Sequence, residues 1–225
     1  MEHELSKRQS FCNGPVYPEK TVIIMAEKNI ETNVTKLPIN IAEPAPLGLL
    51  GLAVAALVLA STDLGIVSPT SKSLMIPWVL FFGATAQLIA GTMEFRRNNI
   101  FGATVFTTYS MTMYAIALTL FITIFTDVEF DIAHYGFGLI AILAFSLIAT
   151  MASLMTNKMF FIVLIFVDLA VIALIPHYFY NFTAVPAGIF LLCTSISSFY
   201  TAMAILMNNM AGKTVLPLGK SIWKP

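Results

Sequence analysis

The chain alternates between long apolar runs and short polar breaks. Ser73 to Met93 contains no Asp, Glu, Lys or Arg, and neither does Asn98 to Thr126. Between them lies Glu94-Phe95-Arg96-Arg97, continuing as Asn98-Asn99-Ile100-Phe101-Gly102. A bilayer core is about 30 Å thick and a helix rises about 1.5 Å per residue, so each run is long enough to cross. The break then reads as a tight clasp at one membrane face. The same pattern predicts six spans, over residues 45–62, 74–95, 100–125, 134–155, 159–176 and 184–208. Proline opens the first two, at Pro44-Ala45-Pro46 and Pro77, where a first-turn residue needs no N–H. Thr156-Asn157-Lys158 makes a second tight turn. The expected architecture is all-α: a mostly disordered cytoplasmic tail over 1–42, a six-helix transmembrane domain over 43–210, and a cytoplasmic C-terminal tail over 211–225.

Composition agrees with the pattern. The 225 residues are 58% hydrophobic and 11% charged, whereas soluble domains carry roughly 25% charge. Mean hydropathy is +0.84, so a polytopic protein of the cell membrane is the expected class. The zero net charge makes nucleic acid an unexpected partner. Cys12 and Cys193 stand far apart with no CxxC or His/Cys cluster, so neither a disulfide nor a metal or other cofactor is predicted. The first apolar run, Thr21 to Ala26, is too short for a signal peptide.

Charge sets the orientation. Lys36, Arg96, Arg97, Lys158, Lys213, Lys220 and Lys224 fall on one side, against Lys72 on the other. The loop at 127–133 carries Asp127, Glu129 and Asp131. The positive-inside rule places both termini in the cytoplasm, which needs an even number of crossings. Asn181-Phe182-Thr183 forms a short glycosylation pattern on the opposite side.

In lipid, small and polar residues mark the faces that turn inward. The second span carries Gly83, Gln87 and Gly91 at four-residue spacing, with Glu94 three further on. The third carries Thr104, Thr108 and Thr112 with Tyr109 beside them, and the sixth carries Thr194, Ser198 and Thr201. Such stripes either line a narrow path or glue helices together, and the spacing fits both. Asp168 is the charged residue well inside a span, where ionisable groups are costly and mark function by default. It is a candidate proton site, with Glu94 as a second. The alternative is an acid hydrogen-bonded at a helix interface. His134 and His177 both lie near span ends, so no histidine pair offers axial haem ligands. No nucleophile elbow, P-loop or metalloprotease motif occurs, and an enzyme is not expected.

Three stretches resemble the acetate uptake (acetate–succinate) transporter family. The first is Pro44-Ala45-Pro46-Leu47-Gly48-Leu49. The second is the clasp region, with Ala86-Gln87, Ala90-Gly91, Glu94-Phe95-Arg96-Arg97, Asn99, Phe101-Gly102, Thr104, Phe106 and Tyr109. The third is Gly212-Lys213-Thr214-Val215-Leu216-Pro217. They occur in order across nearly everything beyond residue 42. The resemblance implies a channel-like subunit that forms a homohexamer, each subunit with its own pore. It implies transport of acetate, other small monocarboxylates and succinate, by proton-coupled or channel-like means. It also implies a constriction of a Phe, a Tyr and a Leu on the first, third and fifth spans. Here these positions fall on Leu52, Tyr109 and, by an ungapped count, Val167. Both departures remove bulk, so a wider or differently packed gate is expected. The opening motif, which would form the substrate entrance, carries Glu43 where the family has Asn.

The physics of the residues is compatible. Spans without Lys or Arg suit rapid passage of an anion rather than capture. Thr, Tyr and Gln87 side chains donate hydrogen bonds without permanent charge, and N–H groups at the Pro-Ala-Pro helix start are candidate carboxylate contacts. An ammonium or small-solute channel is the rival in the same class, and lacks its expected histidine pair here. A non-transporting membrane sensor or assembly protein is the rival from another class.

Overall fold

A computed structural model describes residues 41–224 apart from 128 and 130. The expectation of a disordered tail therefore lies, up to residue 40, outside the described residues. Six helices are long and apolar enough to cross a membrane: α1 Ala45–Asp63, α2 Lys72–Arg96, α3 Ile100–Phe125, α4 Ala133–Ser153, α5 Lys158–Tyr180 and α6 Val185–Ala211. They match the six predicted spans. The fifth and sixth run four and three residues past their expected ends at 176 and 208. Pro176 sits inside α5 without ending it, although proline removes a helical hydrogen bond and crowds the preceding turn; beyond it Tyr178 and Phe179 pack on Tyr135 and Phe137 of α4. The stop is Asn181, whose left-handed backbone (φ 53°) caps the helix.

Each helix packs on its chain neighbours, and α6 closes onto α1, so the six form a ring in chain order. The α3–α4 seam is the thinnest. Close approach elsewhere depends on small residues, since apolar area alone does not drive helices together in lipid. A Cβ at Gly91 would lie 2.9 Å from the Thr107 amide nitrogen, and one at Gly83 would lie 2.8 Å from the Ala55 Cβ. The Gly83/Gln87/Gly91 stripe is thus pressed against α1 and α3. Ser195 of α6 ties across to α1 by donating to the Ala53 carbonyl at 2.7 Å. Large apolar side chains such as Phe81, Leu118, Phe137 and Ile148 point outward.

α2 is composite. A 3-10 stretch, Pro69–Leu74, leads into Met75–Trp78, then a π-helical stretch Val79–Ala86, then Gln87–Arg96. Wider turns leave carbonyls poorly matched, and hydroxyls occupy them. Thr85 donates to the Leu80 carbonyl five residues back at 2.9 Å and pairs with the Tyr114 hydroxyl at 3.0 Å. Ser110 donates to the Ala84 carbonyl at 2.8 Å.

The clasp between α2 and α3 is built from side-chain caps. Asn98 takes a left-handed backbone at φ 60°. Asn99 caps α3, accepting from the Gly102 amide at 3.2 Å and donating to Glu94 Oε2 at 2.9 Å. A Cβ at Gly102 would lie 2.9 Å from the Glu94 carboxyl carbon, which accounts for glycine there. Asn157 caps α5 in the same way, accepting from the Phe160 amide at 3.0 Å.

Beyond α6, Gly212 turns the chain with φ 62°, and the segment after it is strapped over the clasp end. Asn208 accepts from the Val215 and Leu216 amides at 2.6 and 2.9 Å and donates back to the Leu216 carbonyl at 2.8 Å. Tyr200 donates to the Pro217 carbonyl, and the Met159 amide to the Leu218 carbonyl.

Candidate transport path

Two cavities open from opposite ends of the ring. The one at the end away from the clasp measures about 160 Å³ and is lined from all six helices. Asp63, Lys72 and His177 stand toward its mouth, and Leu52, Tyr109 and Val167 also line it. These last three lie seven to nine residues in from the clasp-end starts of their helices at Ala45, Ile100 and Lys158. At about 1.5 Å per residue that is one layer, roughly 10–14 Å along the axis. All three are buried, at 5%, 4% and 8% exposure.

The second cavity, at the clasp end, measures about 250 Å³ and is lined by Glu43, Ala45, Glu94, Asn99, Phe106 and Phe160 among others. Leu49, Phe106 and Leu164 are buried and lie within a turn of the Leu52–Tyr109–Val167 layer. The axis is closed there by apolar side chains.

The electrostatics of the clasp-end cavity turn on one guanidinium. Arg97 Nη1 lies 2.7 Å from Glu43 Oε1 and 3.8 Å from Glu94 Oε2. The hydrogen bond with Glu43 pushes the Arg97 guanidinium up from its ordinary value, so it stays charged. Glu43, a carboxylate lining this cavity, is thereby neutralised by a partner. Glu94 is fully buried, and its Oε1 has no hydrogen-bond partner.

Asp168 follows Val167 and turns away from the cavity. Ser146 of α4 donates to its Oδ1, and Thr150 donates to its Oδ2 at 2.6 Å. Ser146 also pairs with the Tyr109 hydroxyl at 2.6 Å. Tyr109 meets Phe145 edge-on with centroids 5.9 Å apart. These contacts bridge the thin α3–α4 seam directly behind the Leu52–Tyr109–Val167 layer.

The structure brings Leu52, Tyr109, Val167 and Thr112 to one cavity and Glu43, Ala45 and Glu94 to the other. It does not bring the threonine stripe together. Thr104 is exposed on the outer face of α3, Thr108 is half-buried outside both linings, and Thr112 spends its hydroxyl on the Thr108 carbonyl. Successive four-residue steps on a helix drift by about 40°, enough to carry one end of such a stripe off the inner face. Gln87 is fully buried and lies outside both cavity linings, and neither atom of its amide has a hydrogen-bond partner. Leaving such groups unmatched costs about 1–3 kcal/mol each, so a carboxylate or water reaching them gains correspondingly.

The opening motif acts mostly as architecture. Leu47 is exposed, while Pro44, Gly48 and Leu49 are buried. The Leu47 and Gly48 amides donate to the Pro44 carbonyl, and Pro44 and Pro46 have no N–H to give. The helix start therefore presents fewer free amides to a carboxylate than the sequence suggested. Ser146 and Thr150 escaped notice in the sequence, although their four-residue spacing on one face of a span was a readable signal.

A closed ring of apolar helices with a cavity opening from each end fits a multi-pass membrane transport protein. Residues 28–219 match the GPR1/FUN34/yaaH family, and the chain belongs to it. It is 30% identical over 193 residues to the succinate-acetate/proton symporter SatP of Escherichia coli strain K12, covering 81% of this chain and 97% of that protein. It is 27% identical over 202 residues to acetate permease A of Emericella nidulans, covering 82% of this chain and 68% of the permease. The bacterial acetate channel SatP superposes with a TM-score of 0.73 at 26% identity, over 80% of this chain and all of that one, 100%.

Proposed function

We propose that this protein conducts acetate and other small monocarboxylates, with succinate at the upper size limit, along the axis of the six-helix ring. The carrying observation is the Leu52–Tyr109–Val167 layer, the constriction between the two cavities. A carboxylate arriving from the far end meets Lys72 and His177 toward the mouth. It then passes a lining without Lys or Arg, where the Tyr109 and Thr112 hydroxyls are already paired within the protein. Binding without a full opposite charge keeps exit fast, and an apolar ring favours acetate's methyl group over strongly hydrated ions.

In this reading the path is open to conduction rather than catalysis, and no cofactor takes part. The protein is a homohexamer in the cell membrane, residues 1–42 and 211–225 are cytoplasmic tails, and the clasp faces the cytoplasm. The names of its relatives support transport across a membrane, and the positive-inside charge bias supports this orientation. The test is uptake of labelled acetate into proteoliposomes. The proposal expects uptake above protein-free vesicles, reduced by competing small monocarboxylates. Absence of acetate flux, or flux of ammonium instead, would overturn it.

A further inference from the structure

We infer that Asp63, at the mouth of the far cavity, sets the preference of the path for singly over doubly charged carboxylates. The inference rests on the anion-conduction reading above and deepens it, with charge rather than size as the quantity the mouth discriminates. Three acidic or basic side chains line this cavity: Asp63 from the end of α1, Lys72 from the start of α2 and His177 from near the end of α5. No other Asp, Glu, Lys, Arg or His occurs among the residues that line it. A carboxylate at a helix C-terminus is unfavourable, because that end already carries partial negative charge. Asp63 is the last residue of α1, so helix stability does not account for it.

The backbone around Asp63 is fixed. The Leu64 amide donates to the Ala60 carbonyl at 2.9 Å, and Gly65 turns the chain with φ 71°. α6 presses on the same turn at Gly188, where a Cβ would lie 3.0 Å from the Asp63 Cβ. Asp63 is half-buried, and its carboxylate lies within electrostatic reach of His177 and Lys72. It is locked to neither, since the ion pairs among the described residues both belong to Arg97 at the clasp. The His177 ring is held elsewhere, its Nδ1 donating to the Phe182 carbonyl at 2.6 Å. A partly buried negative charge therefore stands in the mouth with no cation in contact.

Acids of different charge meet this mouth differently. Acetate brings one charge, which Lys72 meets, and a methyl group that the apolar lining accepts. Succinate brings a second carboxylate two methylenes away. With Lys72 engaged by the first, the second faces Asp63 and an inner lining without Lys, Arg or His. Like charges near a protein surface repel several times more strongly than in bulk water, and the repulsion scales with the product of the charges. At the same place a dianion therefore meets about twice the repulsion that a monoanion does. An unpaired charge moving inward also loses hydration without compensation. Both effects fall harder on succinate than on acetate, and the first belongs to Asp63.

The test measures labelled acetate, succinate and succinamate in proteoliposomes at mildly alkaline pH, where all three acids are fully ionised. Succinamate is the half-amide of succinate, matched in length and shape but carrying one charge. Asp63→Asn is expected to raise the succinate-to-acetate flux ratio about 10-fold, the scale of one charge pair at this range. The succinamate-to-acetate ratio stays as in wild type. Asp63→Glu, which keeps the charge, keeps the wild-type ratios. Lys72→Gln moves the succinate-to-acetate ratio the other way, because a dianion loses more than a monoanion when the cation goes. If Asp63→Asn does not assemble, Lys72→Gln decides, since Lys72 is exposed. An unchanged succinate-to-acetate ratio in the variant that decides would overturn the inference. So would an equal rise for succinate and succinamate in Asp63→Asn, which would mean that space was gained rather than charge removed. Lack of acetate flux in wild type would instead overturn the conduction reading.

Discussion

Val167 lines the far cavity while Asp168, the next residue, is held behind the cavity wall by Ser146 and Thr150. Adjacent helix residues diverge by about 100°, so a single helix presents an apolar gate to the path and an acid to its neighbour. In the proposed path Leu52, Tyr109 and Val167 form the constriction. Val167→Leu adds one methylene there, and crowding a packed site costs about 1–3 kcal/mol. The expected result is succinate flux reduced by about 10-fold or more, with acetate affected less, because a methylene's worth of fit discriminates on that scale. Competition assays in proteoliposomes measure it, and equal loss for both acids would place Val167 outside the path.

Arg97 holds the clasp-end cavity together. Glu43→Gln removes a partly exposed ion pair and is expected to lower stability by under about 1 kcal/mol. Arg97→Ala strips the cation from the fully buried Glu94 as well, and is expected to cost about 1–3 kcal/mol. Thermal unfolding in detergent ranks the two. The Glu43 hydrogen bond raises the guanidinium's folded value, so its stabilisation is complete below the ordinary arginine value and fades only as pH rises through the raised one. Between mildly acidic and neutral pH the Arg97 contribution should therefore be constant. A stability difference between the variants that changes over that range would contradict this.

Topology is checked by single cysteines in a cysteine-free background. The charge bias predicts that positions 127 and 129 react with an impermeant thiol reagent added outside intact cells, while positions 98 and 99 react only after permeabilisation. The opposite pattern would invert the orientation.

The spans were legible because uncharged runs of this length have one economical conformation in lipid, and the clasp because Glu94-Phe95-Arg96-Arg97 is a charged break between two such runs; the Asn99 cap that builds it was not. The turning away of Asp168 followed from helical geometry once Val167 was assigned to the path. Three further features were hidden. The π-helical stretch at Val79–Ala86 depends on hydroxyls that arrive from α3, far along the chain. The partners of Asp168 are an ordinary serine and threonine whose importance comes from what faces them. Thr104 looked inward because spacing alone says that residues share a stripe, not where the stripe points. The extension of α5 past Pro176 shows tertiary packing overriding a local breaker.

The central claim is that anions pass the Leu52–Tyr109–Val167 layer. It is tested most directly by placing a single cysteine at Val167 in a cysteine-free background and measuring labelled acetate flux before and after a small thiol reagent. The account predicts that modification abolishes flux and that saturating acetate slows the modification. Complete modification with unchanged flux would contradict it.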